Sequence, residues 1–316
     1  MKMEGFTMVS IVNNTGSRQG LALVAISGVL WGTIGIAAQG IYQQSDVGPL
    51  VVGFYRLALG FPCVALGCWF VLGRESLRVR QRDSLRMILI GVMLAFYQVC
   101  YFSAIEFAGV AVATLITLCT APVIVSLASV LVLGETVTRH TLGALTLAVF
   151  GTGLLVGTPG EITGLSDLAI GAGLSFASAT GYAIVALLGR SLAGSCHPMY
   201  VTAVSFGVGA LVLLPLVLVS SKSGTNSAEV WTLLVYLGLV PTALGYLLFF
   251  RGVRFIRAST AAILTMIEPL VATVLAWLLF AERLGPVAIL GAALLLIGIL
   301  VLYNGEKKSG PEESSG

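Results

Sequence analysis

Two ionisable side chains, Arg56 and Glu268, lie deep inside long apolar runs of this chain. A charge at the centre of a bilayer costs about 2.5 to 3.5 kcal/mol on insertion scales, so each should face protein or water and have a partner. The arginine fork can bind a carboxylate through two hydrogen bonds, and a carboxyl group held away from water can exchange a proton or balance an ammonium. Both residues are therefore candidates for substrate binding or coupling. The alternative is that they only hold helices together.

Uncharged polar and aromatic side chains in the same runs are candidates for lining a cavity around an organic solute. Thr265 shares a stripe of small or polar residues with Glu268 at helical spacing, which suits a cavity wall better than a lipid-facing surface. The other candidates are Trp31, Tyr97, Gln98, Tyr101, Thr117, Thr120 and Tyr182, with Tyr246 beside them. The structural alternatives are threonines bonded to their own backbone and aromatics packed in the interfacial belt.

The composition requires membrane-spanning helices to position these residues. Hydrophobic residues make up 57% of the 316-residue chain, charged residues only 10%, and the mean hydropathy is +1.01. Soluble proteins carry roughly 25% charged residues, so a water-soluble enzyme is excluded. Ten runs are long enough for a hydrocarbon core about 30 Å thick. These predicted spans are 20–40, 49–72, 86–105, 110–133, 140–157, 167–189, 198–219, 230–250, 258–280 and 285–303.

The basic residues predict which way the chain crosses. With the N-terminus inside, 14 of the 17 basic residues fall on inner segments, and only Lys222 and Arg283 fall on outer loops. Lysine and arginine resist translocation, so we expect an even number of spans with both termini cytoplasmic.

The second half of the chain repeats the first. At a constant offset of 147 residues, Pro122 matches Pro269, Glu135 matches Glu282 and Gly151 matches Gly298. Five helices per half is an odd number, so the second copy enters the membrane from the opposite side. Inverted repeats are common in secondary transporters, with a site at the repeat interface. The predicted organisation is a cytoplasmic segment at 1–19, a first repeat at 20–157, an outer linker at 158–166, a second repeat at 167–303 and a disordered cytoplasmic tail at 304–316.

Short motifs in a fixed order give the chain a family resemblance. They are Leu30-Trp31-Gly32, Phe54-Tyr55-Arg56, Ala121-Pro122 with Gly134-Glu135, and Glu268-Pro269 with Ala281-Glu282-Arg283. On these residues the chain resembles the EamA-like branch of the drug/metabolite transporter superfamily, whose members have ten helices in two five-helix repeats. One departure is Thr180-Gly181-Tyr182, where the second repeat of that family often has a tryptophan. The resemblance implies a prokaryotic inner-membrane carrier of small organic solutes, often an exporter of amino acids or related metabolites.

The expected function is therefore secondary transport of a small metabolite by alternating access. The expected substrate is an amino acid that is moved outward, with or without proton coupling. One alternative is efflux of lipophilic cations or drugs, because one buried acid and aromatic walls would also suffice. Another is a lipid-handling membrane protein. No nucleotide-binding loop, catalytic cluster or metal-ligand spacing occurs in the sequence, so we expect no enzyme activity, cofactor or metal. The net charge of +3 gives no reason to expect nucleic acid. We expect membrane lipids to surround the protein. The sequence leaves the oligomeric state open and is compatible with a monomer.

Overall fold

Ten helices long and apolar enough to cross a membrane make up the structure, a computed structural model that describes residues 4–72, 81–156, 164–219, 227–280 and 285–308. Numbered here as spans one to ten, they are Gly16–Gln44, Pro49–Leu72, Gln81–Gly109, Val112–Leu133, Arg139–Val156, Leu165–Leu192, Pro198–Val219, Ala228–Gly252, Ala258–Leu279 and Pro286–Gly305. No strand occurs within those ranges. The prediction of an all-α protein with ten spans is confirmed.

The spans are built from α-helices with one π-helical insertion. The helices are α1 (Glu4–Gly32), α2 (Ile34–Gln44), α3 (Pro49–Leu72), α4 (Gln81–Leu133), α5 (Arg139–Val156), α6 (Leu165–Leu192), α7 (Pro198–Val219), α8 (Ala228–Leu237), α9 (Gly245–Gly252), α10 (Ala258–Thr265), α11 (Ile267–Phe280) and α12 (Pro286–Lys308). The π-helical segment, Gly238–Leu244, joins α8 to α9. Within α4, Gly109 has φ +79° and ψ 163°, a backbone that only glycine adopts readily, and it divides span three from span four.

Three spans are interrupted near their middles. Span one bends at Thr33, between α1 and α2, and span nine breaks at Met266, between α10 and α11. Pro269 follows the second break by one turn and has no N–H to bond the carbonyl four residues earlier. Span eight contains the π-helical segment around Pro241. Interrupted helices inside a membrane leave backbone groups that must be satisfied by protein or by a water-filled space.

The helices of one half pack mainly against those of the other. Each main contact between a span of the first half and a span of the second has an equivalent in which the two halves trade places. Span one packs against span eight as span three packs against span six, while spans two and seven, and spans five and ten, are each paired directly. Gly151 and Gly291 allow the last crossing, because a Cβ on Gly151 would lie 2.6 Å from Leu295 N and one on Gly291 would lie 2.6 Å from Gly151 O. This pattern is the one that two halves related by a two-fold axis produce.

The ends of the chain differ in one respect from the expectation. Helix α12 continues to Lys308, so residues 304–308 of the predicted tail are helical, and 309–316 lie outside the described residues. Glu282, Lys222 and Arg283 also lie outside them, as does most of the predicted linker at 158–166. The side on which each terminus lies stays a prediction.

Candidate functional site

An aromatic cluster forms where spans one, three, six and eight meet. The ring of Trp31 is buried, 5.0 Å from that of Tyr246 and 6.4 Å from that of Tyr182, measured between ring centres. Tyr97 lies edge-on to Tyr182 at 6.3 Å. Two of these residues come from each half, so the cluster lies at the interface of the repeats, where transporters of inverted topology place their substrate site.

Hydroxyl groups connect the cluster to span nine. The hydroxyl groups of Tyr97 and Tyr246 lie 2.9 Å apart, and those of Tyr182 and Thr265 lie 3.3 Å apart. Thr265 donates its own proton to Ala262 O at 2.9 Å, so Tyr182 is the donor of the pair. This contact brings the predicted residues Tyr182 and Thr265 together next to the break in span nine.

Glu268 lies just beyond that break, in the first turn of α11. It is half-buried, and among the described residues its carboxylate makes no hydrogen bond or ion pair. It lies within electrostatic range of Arg56 and of the hydroxyls of Tyr101 and Tyr182. The positive end of the α11 dipole favours a carboxylate at this position. An acid with open hydrogen-bonding capacity therefore faces the aromatic cluster.

Arg56 provides the opposite charge from the first half of the chain. It is half-buried, and its Nε donates to Thr242 Oγ1 at 3.0 Å. Within the part of the chain that the structure describes, its two terminal nitrogens make no hydrogen bond and no ion pair with Glu268. The guanidinium still acts electrostatically on Glu268 and on Tyr97. The two charges attract each other without touching, so both can engage a third group.

The π-helical segment of span eight holds both Trp31 and Arg56 in place. Pro241 O accepts a hydrogen bond from Trp31 Nε1 at 3.0 Å, and Thr242, next in the chain, accepts the one from Arg56. Span eight also approaches span one closely, because a Cβ on Gly245 would lie 2.8 Å from Trp31 Nε1. Sequence reasoning missed Thr242. A hydroxyl directly after a mid-span proline was the available signal, since a proline there frees backbone groups and marks an irregular helix.

The remaining predicted candidates occupy different surroundings. Tyr101 pairs with Thr114 at 2.7 Å and stays within range of Glu268. Thr117 donates to Ser175 O at 3.3 Å and so connects span four to span six. Thr120 is half-buried and makes no side-chain hydrogen bond with the described residues.

Gln98 is buried against span two, outside the aromatic cluster. Its amide donates to Leu94 O at 3.1 Å, while its Oε1 has no partner among the described residues. That oxygen lies over Gly53, where a Cβ would be only 2.8 Å away. The structure therefore brings Trp31, Tyr97, Tyr101, Tyr182, Thr265, Arg56 and Glu268 together, and places Gln98 and Thr117 in helix contacts.

A second cluster of polar groups fastens one end of the bundle. Glu135, in the connection between spans four and five, accepts a bifurcated hydrogen bond from Ala258 N–H, at 3.1 Å to Oε1 and 2.9 Å to Oε2. Arg190 Nε donates to the same carboxylate at 3.2 Å, and only 8% of the Glu135 side chain is exposed. Glu135 thus caps the start of α10, the helix that leads to Thr265 and Glu268. An acid at a helix N-terminus also complements the helix dipole.

Replacing Glu135 with Ala should loosen the start of α10. Loss of a capping side chain costs about 0.5 to 2 kcal/mol, which corresponds to amide exchange about 2 to 30 times faster over residues 258–264 if opening is local. Hydrogen–deuterium exchange with mass spectrometry measures it. Glu135→Gln keeps an acceptor and should fall between Ala and wild type. Thr136→Ala, at the exposed neighbouring residue, is the control. Unchanged exchange in Glu135→Ala would show that the cap does not hold this helix.

No group of three or more His, Cys, Asp or Glu side chains within the described ranges is arranged to hold a metal ion. The cluster around Trp31 instead offers one positive group, one acidic group, several hydroxyls and aromatic faces. These groups are complementary to the charges, hydroxyl groups and apolar surfaces of small organic molecules.

Comparison with known sequences gives a match in each half of the chain. The profile of the EamA-like transporter family matches residues 18–157 and residues 169–304. The two matched segments follow the two predicted repeats within a few residues. Together they cover most of the chain.

Individual relatives agree with that match, and a solved structure shares the fold. The chain is 31% identical over 296 residues to the uncharacterized transporter YwfM of Bacillus subtilis (strain 168), covering 92% of this chain and 96% of the relative. It is 29% identical over 255 residues to the pseudopaline exporter CntI of Pseudomonas aeruginosa (strain UCBPP-PA14), covering 80% and 86%. A crystal structure with 19% sequence identity superposes with a TM-score of 0.78 and covers 92% of this chain and 98% of that one. That likeness concerns the fold alone.

Proposed function

We propose that this chain, which belongs to the EamA-like transporter family, exports a small zwitterionic metabolite of the amino-acid class by alternating access. Membership of the family makes it an integral membrane transporter. The observation that carries the finer proposal is the arrangement of Arg56 and Glu268. They attract each other across the interface of the two halves and form no ion pair among the described residues.

An α-amino acid matches this arrangement group by group. Its carboxylate takes the free terminal nitrogens of Arg56 as a two-bond fork, which a planar guanidinium favours. Its ammonium takes the carboxylate of Glu268. Its side chain lies against Trp31, Tyr182 and Tyr246, whose faces accommodate apolar or aromatic groups. A zwitterion satisfies both charges at once, whereas a solute with one charge leaves the other unpaired at a cost.

Glu268 couples transport of the substrate to movement of protons. A proton and a substrate ammonium compete for the same carboxylate, because either one neutralises it. A protonated Glu268 releases the ammonium on the side where protons are abundant, and the deprotonated form binds it on the other side. Inward proton flow thereby drives outward movement of substrate, which is the direction in the name of the pseudopaline exporter CntI, a relative.

Alternating access requires the two ends of the bundle to close in turn. The exchange-symmetric packing of the halves supports rocking of one against the other around the aromatic cluster. The contact of Glu135 with Ala258 and Arg190 closes one end, and it must separate for that end to open. Opening at that end would also move α10 and, through Thr265 and the break at Met266, the helix that carries Glu268.

Solute counterflow into proteoliposomes tests the proposed function. Purified protein is supplied with labelled amino acids, nucleosides, sugars and a lipophilic cation, with and without an imposed pH gradient. We expect saturable accumulation of amino acids. A pH gradient that drives protons out of the vesicles should increase this accumulation, because amino acids move in as protons move out. Accumulation of nucleosides or sugars instead would overturn the substrate class. Absence of counterflow for the whole panel by folded protein would overturn metabolite transport and favour a lipid-handling role.

Efflux of lipophilic cations is the second candidate, and it is favoured by an acid, Glu268, within electrostatic range of the tyrosines Tyr101 and Tyr182. A cation binds well over aromatic faces and beside an acid. The charge of Arg56 in the same region opposes it. The lipophilic cation in the counterflow panel separates the two candidates directly.

A further inference from the structure

We propose that a pocket between the start of α4 and the end of α6 binds the headgroup of a membrane phospholipid, with its phosphate on Arg82 and Arg86 and its terminal hydrogen-bond donor on Asp83. The pocket is about 410 Å³ in volume and is lined by Arg82, Asp83, Arg86, Ser191, Gly194 and Ser195. It lies apart from the aromatic cluster, and the transport mechanism proposed above does not use it.

The two arginines have donors to spare. Arg82 is exposed and makes no hydrogen bond or ion pair with the described residues. Arg86 has a single contact, from Nη1 to Asp83 Oδ1, at the long distance of 3.4 Å. Arg82 and Arg86 are four residues apart on α4, which places them on the same face of the helix, so both side chains can reach one phosphate. Arginine binds phosphate oxygens through paired hydrogen bonds that lysine cannot reproduce.

The acid in the pocket points to a headgroup with a donor at its far end. Asp83 is 7% exposed, and its contact with Arg86 is too long to satisfy it fully. An ammonium or hydroxyl group, as in phosphatidylethanolamine or phosphatidylglycerol, can donate to this carboxylate. The quaternary ammonium of phosphatidylcholine has no proton to donate. Two arginines and one aspartate also leave one positive charge, which balances the phosphodiester of phosphatidylglycerol.

The pocket lies at an electropositive end of the bundle. Burial, and then the charges of Arg254 and Arg251, lower the pKa of His197, which lies outside the spans. Its neighbour Cys196 lies within electrostatic range of Asp83 and Arg86. These groups therefore share one end of the structure. Excess positive charge at a membrane surface attracts phosphate headgroups.

Apolar surface next to the pocket distinguishes a lipid from free phosphate as the occupant. On the same stretch of α4, Leu85 between the two arginines is 66% exposed, and Ile88 and Leu89 just after them are 43% and 41% exposed. In a bilayer these side chains face acyl chains. A molecule with a phosphodiester head and two hydrocarbon tails satisfies the pocket and this surface together, whereas inorganic phosphate satisfies only the arginines.

Native mass spectrometry of the purified full chain, titrated with single lipids, tests the proposal. We expect phosphatidylethanolamine and phosphatidylglycerol to bind about ten times more tightly than phosphatidylcholine. Arg82→Gln should weaken binding of both by about tenfold. Asp83→Asn should bring phosphatidylethanolamine close to phosphatidylcholine, two headgroups of equal net charge. Arg251→Gln, an exposed arginine at the same end but outside the pocket, is the matched control.

Several outcomes would overturn the proposal. Equal losses in Arg82→Gln and Arg251→Gln would show unspecific attraction to the positive end. Equal affinity of the wild-type protein for phosphatidylethanolamine and phosphatidylcholine would remove the role of Asp83. Displacement of lipid by millimolar inorganic phosphate would identify a soluble anion as the ligand. Arg82→Gln should fold as the wild-type protein does, because Arg82 is exposed and makes no hydrogen bond or ion pair with the described residues.

Discussion

Glu268→Gln should abolish accumulation driven by a pH gradient. Gln has nearly the same shape as Glu but cannot take up or release a proton, so proton and substrate no longer compete at this position. We expect gradient-driven uptake into proteoliposomes to fall by at least tenfold, to the level seen without a gradient. Counterflow of an amino acid should persist with affinity weakened about 10- to 100-fold, since a hydrogen bond to a charged group contributes about 1.5 to 3 kcal/mol.

A deaminated analogue makes the Glu268 experiment specific. The corresponding acid without an amino group never pairs with Glu268, so its counterflow should be affected less than twofold by the same substitution. Glu106→Gln, at an exposed acid on α4, is the control for changes in charge and expression. Full gradient-driven accumulation by Glu268→Gln would remove the coupling role and leave Glu268 as a structural acid.

Arg56→Lys should selectively impair substrates that carry a carboxylate. Lysine keeps the positive charge but replaces the planar fork with a point charge, and it loses the Nε contact with Thr242. We expect the transport efficiency for an amino acid to fall about 10- to 100-fold. The decarboxylated amine of the same compound should be transported by the variant and by wild type within about threefold. Initial rates of counterflow over a range of concentrations measure both.

Two controls accompany the Arg56 experiment. Arg251→Lys makes the same chemical change at an exposed position and should leave transport unchanged. Thr242→Val removes the acceptor of the Arg56 Nε hydrogen bond while Arg56 itself stays, and should give a smaller loss of the same kind. Equal losses for the amino acid and the amine in Arg56→Lys would contradict carboxylate binding and indicate a structural arginine.

The sequence predicted the elements of the fold better than their interruptions. Long apolar runs suffice to find ten spans, because hydrocarbon thickness sets the helix length. Within such a run, however, nothing in the periodicity separates an α-helix from a π-helical turn. A proline inside a span is compatible with several local geometries, and only the packing of neighbouring helices decides that Pro241 lies in a π-helical segment and that Pro269 follows a break at Met266.

For the candidate site, too, the sequence predicted the residues better than the contacts between them. Depth in a span and side-chain type identified Arg56, Glu268, Trp31 and Tyr182, which the structure brings to one region. Whether the two charges approach each other was open, since it depends on how the halves dock. Contacts made by backbone atoms were beyond sequence reasoning. Glu135 was noted as half of a repeat pair and in a family motif, but its bond to Ala258 N depends on residues 123 positions apart meeting in space.

The π-helical segment determines which side chains in the second part of span eight face the aromatic cluster. An α-helix advances about 100° and 1.5 Å per residue, so a wider turn shifts the angular phase of every residue after it. Tyr246 meets Tyr97, and Gly245 meets Trp31, only with that phase. A homologue with a regular α-helix here would turn a different set of side chains toward the same place. Two relatives with identical aromatic residues but different helix phase would therefore present different surfaces to a solute.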